Sequence, residues 1–151
     1  MSQSLSQLYV HLTFGTKNRA PLITAELSVQ LHAYMAGIFK NYESPALNIN
    51  SVPDHIHILF RLSKNWALAK VIEEVKKQSS KWVKEIENGN KKFSWQNGYG
   101  AFSVSSSKVE VVKKYINNQQ EHHEKISYQT EVEGFIKKYD IIEYDPKYFW
   151  V

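Results

Sequence analysis

The sequence predicts an α+β fold of the ferredoxin-like or RRM-like type, with an antiparallel sheet in the order βαββαβ, helices on one face and additional C-terminal helices. Two observations support this prediction. Short segments in which apolar and polar residues alternate, as in half-buried strands, are interleaved with longer segments that have the apolar spacing of helices. Hydrophobic residues also make up 42% of the 151 residues, enough for one domain with its own core.

The individual elements follow from periodicity and from residues that cap helices or form turns. Thr24 and Ser63 are each placed to cap a helix, and Pro53 with Asp54 predicts a tight turn between two strands. In chain order, the predicted strands are Leu8–Phe14, Ala46–Val52, His55–Leu62 and Ala101–Ser105. The predicted helices run from Thr24 to about Asn41, from Ser63 to the ENGNKK segment, from about Lys108 to Glu124 and from about Tyr128 to Ile141.

Composition limits the chemistry and the partners of the chain. The formal net charge is +4 and the sequence pI is about 9.1, which suits a polyanionic partner without requiring one. Cysteine is absent, so any metal must be bound by histidine, carboxylate, amide or water. No run approaches the roughly 20 apolar residues that span a bilayer, and the start, MSQSLSQ, does not resemble a signal peptide. We therefore expect a cytoplasmic protein without a membrane partner.

Two histidines on one predicted strand form the first candidate site. His55 and His57 are two residues apart, so both imidazoles project from the same face of the strand. Such a pair can bind one divalent metal ion and leave coordination positions for a third ligand, water and substrate. Taken alone, the pattern is equally compatible with two histidines on a half-exposed strand.

A tyrosine and a glutamine on one predicted helix form the second candidate site. Tyr115 and Gln119 are four residues apart and therefore share a helix face. Tyrosine can act as a covalent nucleophile, and the glutamine carbonyl can be an oxygen ligand or a hydrogen-bond acceptor. An ordinary amphipathic helix with a tyrosine at its core boundary would show the same spacing.

The two patterns occur together in a short, basic chain without cysteine, and in this combination the sequence resembles a known family. It is similar to the single-tyrosine HUH transposases of the IS200/605 insertion sequences and to their relatives, the REP-associated tyrosine transposases. The resemblance covers nearly the whole chain. It runs through VHLTFGTKNRAPL, PDHIHILF, WQNGYGAFSVS, YINNQQEHH and EYDPKYFW, in that order.

The resemblance implies a role for each of the four residues and makes 1–151 a single HUH transposase domain. Tyr115 would be the nucleophile, and His55, His57 and Gln119 would bind a divalent metal, Mg²⁺ or Mn²⁺. The implied reaction cleaves and rejoins single-stranded DNA through a 5′-phosphotyrosine. Hairpin-containing DNA ends, a homodimer and a nucleoid-associated location follow from the family alone.

Further residues could assist at such a site. Asp54 could orient His55 or a metal-bound water, although it also fits a turn residue. His122 would fall near the face of Tyr115 and Gln119, and His11 lies on the polar face of the first strand. Candidate contacts to the DNA phosphates are Arg19, Lys113 and Lys114, and candidate stacking partners for unpaired bases are Trp66, Trp95, Tyr99 and Phe102.

Three alternative functions fit parts of the pattern. The first is a catalytically idle module that binds hairpin or single-stranded DNA with the same sheet. The second is an HUH replication or mobilisation endonuclease, although such proteins usually carry added helicase or primase domains. The third is a small metal-binding regulatory protein, in which a Tyr115→Phe change would be silent.

Overall fold

The sheet has the predicted antiparallel architecture. The structure, a computed structural model, describes residues 2–123 and 125–151. The strands are β1 (Leu8–Gly15), β2 (Ala46–Val52), β3 (His55–Leu62) and β4 (Gly100–Val104). They form one open sheet in the order β2-β3-β1-β4, so β1 and β3 are central and β4 lies at an edge. The predicted hairpin is confirmed with both of its strand boundaries.

Two long helices cover one face of the sheet. They are α1 (Ala25–Asn41) and α2 (Leu68–Glu85), and they enclose the main core against alternate residues of the central strands, including Leu12, Ile56 and Ile58. The predicted cap at Thr24 is confirmed, since its hydroxyl accepts a hydrogen bond from the Leu27 N–H at 3.1 Å. Burial of this apolar face is the main stabilising contribution.

The predicted start of α2 at Ser63 is wrong. The Ser63 hydroxyl accepts a hydrogen bond from the Asn65 N–H at 3.0 Å and also lies 3.3 Å from Glu43. A serine that bonds to the backbone two residues further on forms a turn and is no longer available as a helix cap. The helix therefore begins at Leu68, after the extended residue Ala67.

Shorter helices follow β4 in the sequence. They are α3 (Val109–Asn117), α4 (Gln119–His123), α5 (Tyr128–Lys138) and α6 (Pro146–Phe149). The single helix predicted over Lys108–Glu124 is broken at Asn118, and its predicted end at Glu124 lies outside the described residues. The break has a tertiary cause, because the Asn50 amide donates to the carbonyls of Ile116 and Asn117 at 2.7 and 3.4 Å. Carbonyls held in this way are already satisfied, so the helix can end there.

The second face of the sheet carries polar residues under the C-terminal helices. Leu59 of β3 packs with Val109 and Ile116 of α3 in a small apolar cluster. Because strand residues alternate between faces, the same face displays His11 of β1 together with His55 and His57 of β3. Within the described ranges, none of the helices is both long and apolar enough to cross a membrane.

Candidate active site

The two histidines of β3 are completely buried on the second face of the sheet. His57 is held on both sides, with its Nδ1 atom 2.9 Å from His11 Nε2 and its Nε2 atom 2.9 Å from Glu131 Oε1. His55 Nδ1 lies 2.7 Å from Asp54 Oδ1, and its Nε2 atom lies 3.6 Å from the same Glu131 oxygen. The Nε2 atoms of both histidines therefore face one carboxylate oxygen.

Glu131 reaches this position from the first turn of α5, and the sequence analysis missed it. In the sequence it looks like an ordinary acidic residue near a helix N-terminus, where the helix dipole favours it. A signal was nevertheless present, because Glu131 lies in the apolar stripe formed by Tyr128, Val132 and Phe135. A carboxylate on the buried stripe of a helix requires a partner, and the histidines of β3 supply it.

Tyr115 and Gln119 are brought to the other oxygen of the same carboxylate. The Tyr115 hydroxyl donates to Glu131 Oε2, and the Gln119 amide nitrogen donates to it at 3.2 Å. His122 Nε2 lies 3.3 Å from this oxygen and 3.5 Å from the Tyr115 hydroxyl. The structure thus unites the predicted histidines, tyrosine and glutamine, together with Asp54 and His122, in one cluster within a single chain.

Burial and hydrogen bonding set the protonation states in this cluster. Burial alone would raise the pKa of Glu131. The pKa is instead lowered to about 2, first by the hydrogen bond and the charge of His57, then by the hydrogen bond from Tyr115 and the charge of His55. Burial, and then the Glu131 carboxylate, raise the pKa of Tyr115 well above its usual value. Burial and the neighbouring His57 lower the pKa of His11 to about 3. At neutral pH the cluster therefore contains an ionised Glu131, a protonated Tyr115 and an uncharged His11.

The donor atoms of the cluster suit a divalent cation. One ligand atom each from His55, His57 and Glu131 lies within 4.8 Å of the other two. In the part of the chain that the structure describes, the buried Gln119 Oε1 atom has no hydrogen-bond partner. A buried amide oxygen without a partner is costly unless a cation or donor satisfies it. Two imidazole nitrogens with nearby carboxylate and amide oxygens form a donor set that fits metal binding.

The predicted DNA-contacting residues lie outside this cluster. Arg19 donates to Gln129 Oε1 at 2.6 Å, and its guanidinium lies 5.1 Å from the centroid of the Trp150 ring. Lys113 is 3.5 Å from Glu110, whereas Lys114 is exposed on α3. The contribution of these three residues to DNA binding stays a prediction.

An antiparallel sheet that presents a buried His-X-His pair to a tyrosine on a later helix is the architecture of the HUH-type transposases, which are metal-dependent. A family model described as "Transposase IS200 like" matches residues 4–119, and the chain belongs to this family. The resemblance predicted from the motifs is confirmed. Residue 131 lies beyond the matched range.

Two solved structures share the fold. One is a presumed transposase from Deinococcus radiodurans R1, which is 19% identical in sequence and has a TM-score of 0.59. The alignment covers 79% of this chain and 98% of the Deinococcus chain. The other is a REP-associated tyrosine transposase bound to a REP hairpin, which is 17% identical and also has a TM-score of 0.59. The alignment covers 82% of this chain and 74% of that transposase chain. Among proteins with curated descriptions, none matches the sequence.

Proposed function

We propose that residues 1–151 act as one HUH transposase domain that cleaves and rejoins single-stranded DNA at the ends of a DNA element. The observation that carries this proposal is the convergence of Tyr115, His55 and His57 on the two oxygens of Glu131. A nucleophile and a candidate metal site then lie within one cluster, as covalent phosphoryl transfer requires.

Tyr115 would supply the covalent step. Its hydroxyl oxygen attacks a DNA phosphorus, the bond to the 3′ oxygen breaks, and a 5′-phosphotyrosine forms while a 3′ hydroxyl is released. The phenolic proton passes to Glu131 Oε2, to which it is already hydrogen-bonded, and from there to the departing 3′ oxygen, which leaves as the hydroxyl. Because the pKa of Glu131 lies far below that of Tyr115, this transfer would depend on a bound cation that lowers the pKa of the phenol. Because one phosphoester replaces another, the 3′ hydroxyl of a second strand can reverse the step and join the DNA without an external energy source.

The remaining side chains hold and orient a metal site. His55 and His57 would bind the ion together with Gln119 Oε1 and Glu131, while Asp54 and His11 fix the imidazole rings through their other nitrogens. Bound Mg²⁺ or Mn²⁺ would polarise the scissile phosphate and stabilise the charge that develops on it.

DNA must reach a cluster that α5 covers. Tyr128 stacks on His55 with ring centroids 4.0 Å apart, and Glu131 is 4% exposed. Because Tyr115 and His122 are part-exposed, we include in the proposal that the strand approaches the cluster from their side while α5 stays in place. The neighbour solved with a REP hairpin supports hairpin-containing DNA as the substrate, whereas the homodimer and the cytoplasmic, nucleoid-associated location rest on the family resemblance.

A covalent-adduct assay tests this function. Purified protein is incubated with labelled hairpin oligonucleotides from the flanks of its gene, with Mg²⁺ or Mn²⁺, and separated on a denaturing gel. We expect a protein–DNA adduct that disappears with EDTA, with Tyr115→Phe and with His57→Ala. Tyr34→Phe is the matched control, because Tyr34 stacks on Trp82 in the helical layer on the opposite face.

The alternative is a catalytically idle module that binds hairpin or single-stranded DNA. One observation favours it: the Glu131 carboxylate lies between both histidines and Tyr115, and its hydrogen bond helps to keep the tyrosine protonated. Specific DNA binding without any adduct, under both metals, would establish this alternative and rule out the proposed cleavage.

A further inference from the structure

A cavity of about 550 Å³ opens at the edge strand β4, and no residue of the candidate active site lines it. Its walls come from β4, from α5 and from the C-terminal segment that contains α6. The aromatic residues among its lining are Tyr99, Phe102, Tyr144, Tyr148 and Phe149. Its volume lies within the range of small-molecule sites, so it is large enough for a nucleobase.

The cavity is part of the fixed structure of the domain. The Gln96 amide donates to the Phe149 carbonyl at 2.8 Å and accepts from the Gly15 N–H at 2.6 Å. Trp150 Nε1 donates to the Tyr144 hydroxyl at 2.9 Å. The two Gln96 bonds tie the C-terminal wall to the end of β1, and the Trp150 bond lies within that wall. At Gly100, a Cβ atom would lie only 3.1 Å from the Phe102 ring, so this ring packs directly on the backbone of β4.

Aromatic contacts connect the cavity to the nucleophile. Phe102 packs against Phe135 with ring centroids 5.4 Å apart, and Phe135 lies 5.9 Å from the Tyr115 ring. Phe102 is also paired across the strands with His11, which contacts His57. Two strand spacings of about 4.8 Å separate β4 from β3. A nucleotide neighbouring a phosphate at Tyr115 would therefore lie close enough to enter the cavity.

The rim of the cavity has the chemistry of a single-strand binder. Tyr148 lines the cavity and is 66% exposed, and Tyr139, which is 48% exposed, stacks on the lining residue Phe102 with ring centroids 5.4 Å apart. Each tyrosine has a lysine ammonium 5.5 Å from its ring centroid, Lys138 for Tyr139 and Lys147 for Tyr148. Exposed aromatic rings stack on unpaired bases, and adjacent ammonium groups attract the phosphates. This pairing of rings and cations favours a nucleic acid strand over an uncharged ligand.

One acidic side chain adds base selectivity. Glu143 is exposed and lines the cavity, whereas the other acidic lining residue, Asp145, accepts a hydrogen bond from the Lys147 N–H at 2.9 Å. A carboxylate accepts hydrogen bonds from exocyclic amino groups. Adenine, cytosine and guanine have such a group, whereas thymine offers only its N3–H between two carbonyl oxygens that a carboxylate repels, so Glu143 would favour the amino-bearing bases.

We propose that this cavity binds one unstacked, amino-bearing base next to the scissile phosphate, with Tyr148 as a stacking residue and Glu143 as the residue that selects the base. The proposal rests on the proposed DNA-cleaving function. It assigns the C-terminal segment, which lies beyond the matched family range, a part in choosing where the strand is cut.

Binding in EDTA separates this proposal from cleavage. Fluorescence anisotropy is measured with labelled hairpins of one fixed stem, whose single-stranded arm is all adenine, all cytosine, all thymine or abasic. We expect the wild type to prefer adenine and cytosine over thymine, and the abasic arm to bind most weakly. Tyr148→Ala should weaken binding of the adenine arm by about fivefold or more, and Tyr148→Phe should retain it.

Two more variants test the roles of the rim. Glu143→Gln should reduce the difference between adenine and thymine arms, while the loss of a negative charge strengthens binding of every arm, including the abasic one, by a similar factor. Tyr34→Ala is the control for loss of a part-exposed aromatic, since Tyr34 stacks on Trp82 in the helical layer on the opposite face of the sheet, and it should bind like the wild type. Circular dichroism checks the fold of each variant.

Three outcomes would overturn the base site. They are equal binding of all arms, unchanged binding by Tyr148→Ala, or a change of oligomeric state in that variant, which would mean that a second copy covers the cavity. The adduct assay gives an independent result. An adduct without base preference removes only this proposal, whereas base preference without an adduct removes the proposed cleavage and leaves a base-binding cavity without a scissile phosphate beside it.

Discussion

Glu131 Oε1 lies 2.9 Å from His57 Nε2, which joins the first turn of α5 to the central strand β3. The other oxygen of the same carboxylate accepts from the Tyr115 hydroxyl on α3. One buried anion thus links the candidate metal ligands to the candidate nucleophile. In a site of low dielectric such a charge strongly influences its neighbours, and it makes Glu131 the residue whose substitution is most informative.

Glu131→Gln should weaken metal binding. The change keeps the shape of the side chain but removes the negative charge that faces both histidines. If Glu131 helps to hold the ion, we expect the Mn²⁺ affinity, measured by isothermal titration calorimetry, to fall by about tenfold or more, the range seen when residues around a metal site are replaced.

Glu133→Gln is the matched control for this measurement. Glu133 is exposed on the same helix, two residues further on, so its substitution changes the net charge equally without reaching the cluster. Equal Mn²⁺ affinity of the Glu131→Gln variant and the wild type would remove Glu131 from the metal site.

Gln119→Met tests the predicted third ligand. The substitution removes a buried oxygen that lacks a partner within the described residues, which offsets the lost hydrogen bond to Glu131. We therefore expect Tm in EDTA to change little, while the rise in Tm that Mn²⁺ gives the wild type becomes clearly smaller. Gln30→Met, at an exposed position of α1, controls for the residue type. A full Mn²⁺ response in Gln119→Met would exclude the amide as a ligand.

Local sequence patterns predicted local features well and long-range contacts poorly. The hairpin of β2 and β3 has its predicted boundaries, because alternation and the Pro53–Asp54 turn act within a few residues. The break at Asn118 depends on an amide of β2, and Glu131 is 74 residues from His57 in the sequence. Neither contact leaves a pattern among residues that are close together in the sequence. The predicted roles of His55, His57 and Tyr115 rest instead on the family resemblance that the two motifs together indicated.

Lys76 gives a pH-dependent stability that is independent of the candidate site. Its ammonium donates to the carbonyls of Gln96, Asn97 and Gly98 at 2.7 to 3.0 Å, and burial lowers its pKa to about 8. Between pH 8 and the ordinary lysine pKa of about 10.5, the unfolded state keeps a proton that the folded state has lost. The free energy of unfolding should therefore rise with pH in this window.

Urea unfolding of the wild type and of Lys76→Met, from pH 7 to pH 10, measures this effect. We expect the wild type to gain stability relative to the variant as the pH rises above 8. Lys81→Met, which removes an exposed lysine from the same helix, is the control. A difference between the wild type and Lys76→Met that stays constant with pH would contradict the lowered pKa.

Asn50→Ala should destabilise the end of α3 and, through it, the position of Tyr115. The Asn50 amide donates to the Ile116 carbonyl at 2.7 Å, directly after the tyrosine. Loss of this bond should lower the free energy of unfolding by about 1 kcal/mol. It should also reduce the adduct yield more than the control Asn41→Ala, which replaces an exposed residue at the end of α1. Chemical denaturation and the denaturing gel measure the two effects separately. Loss of stability with an undiminished adduct would show that Tyr115 is positioned by Glu131 and its own helix, without the contact from β2.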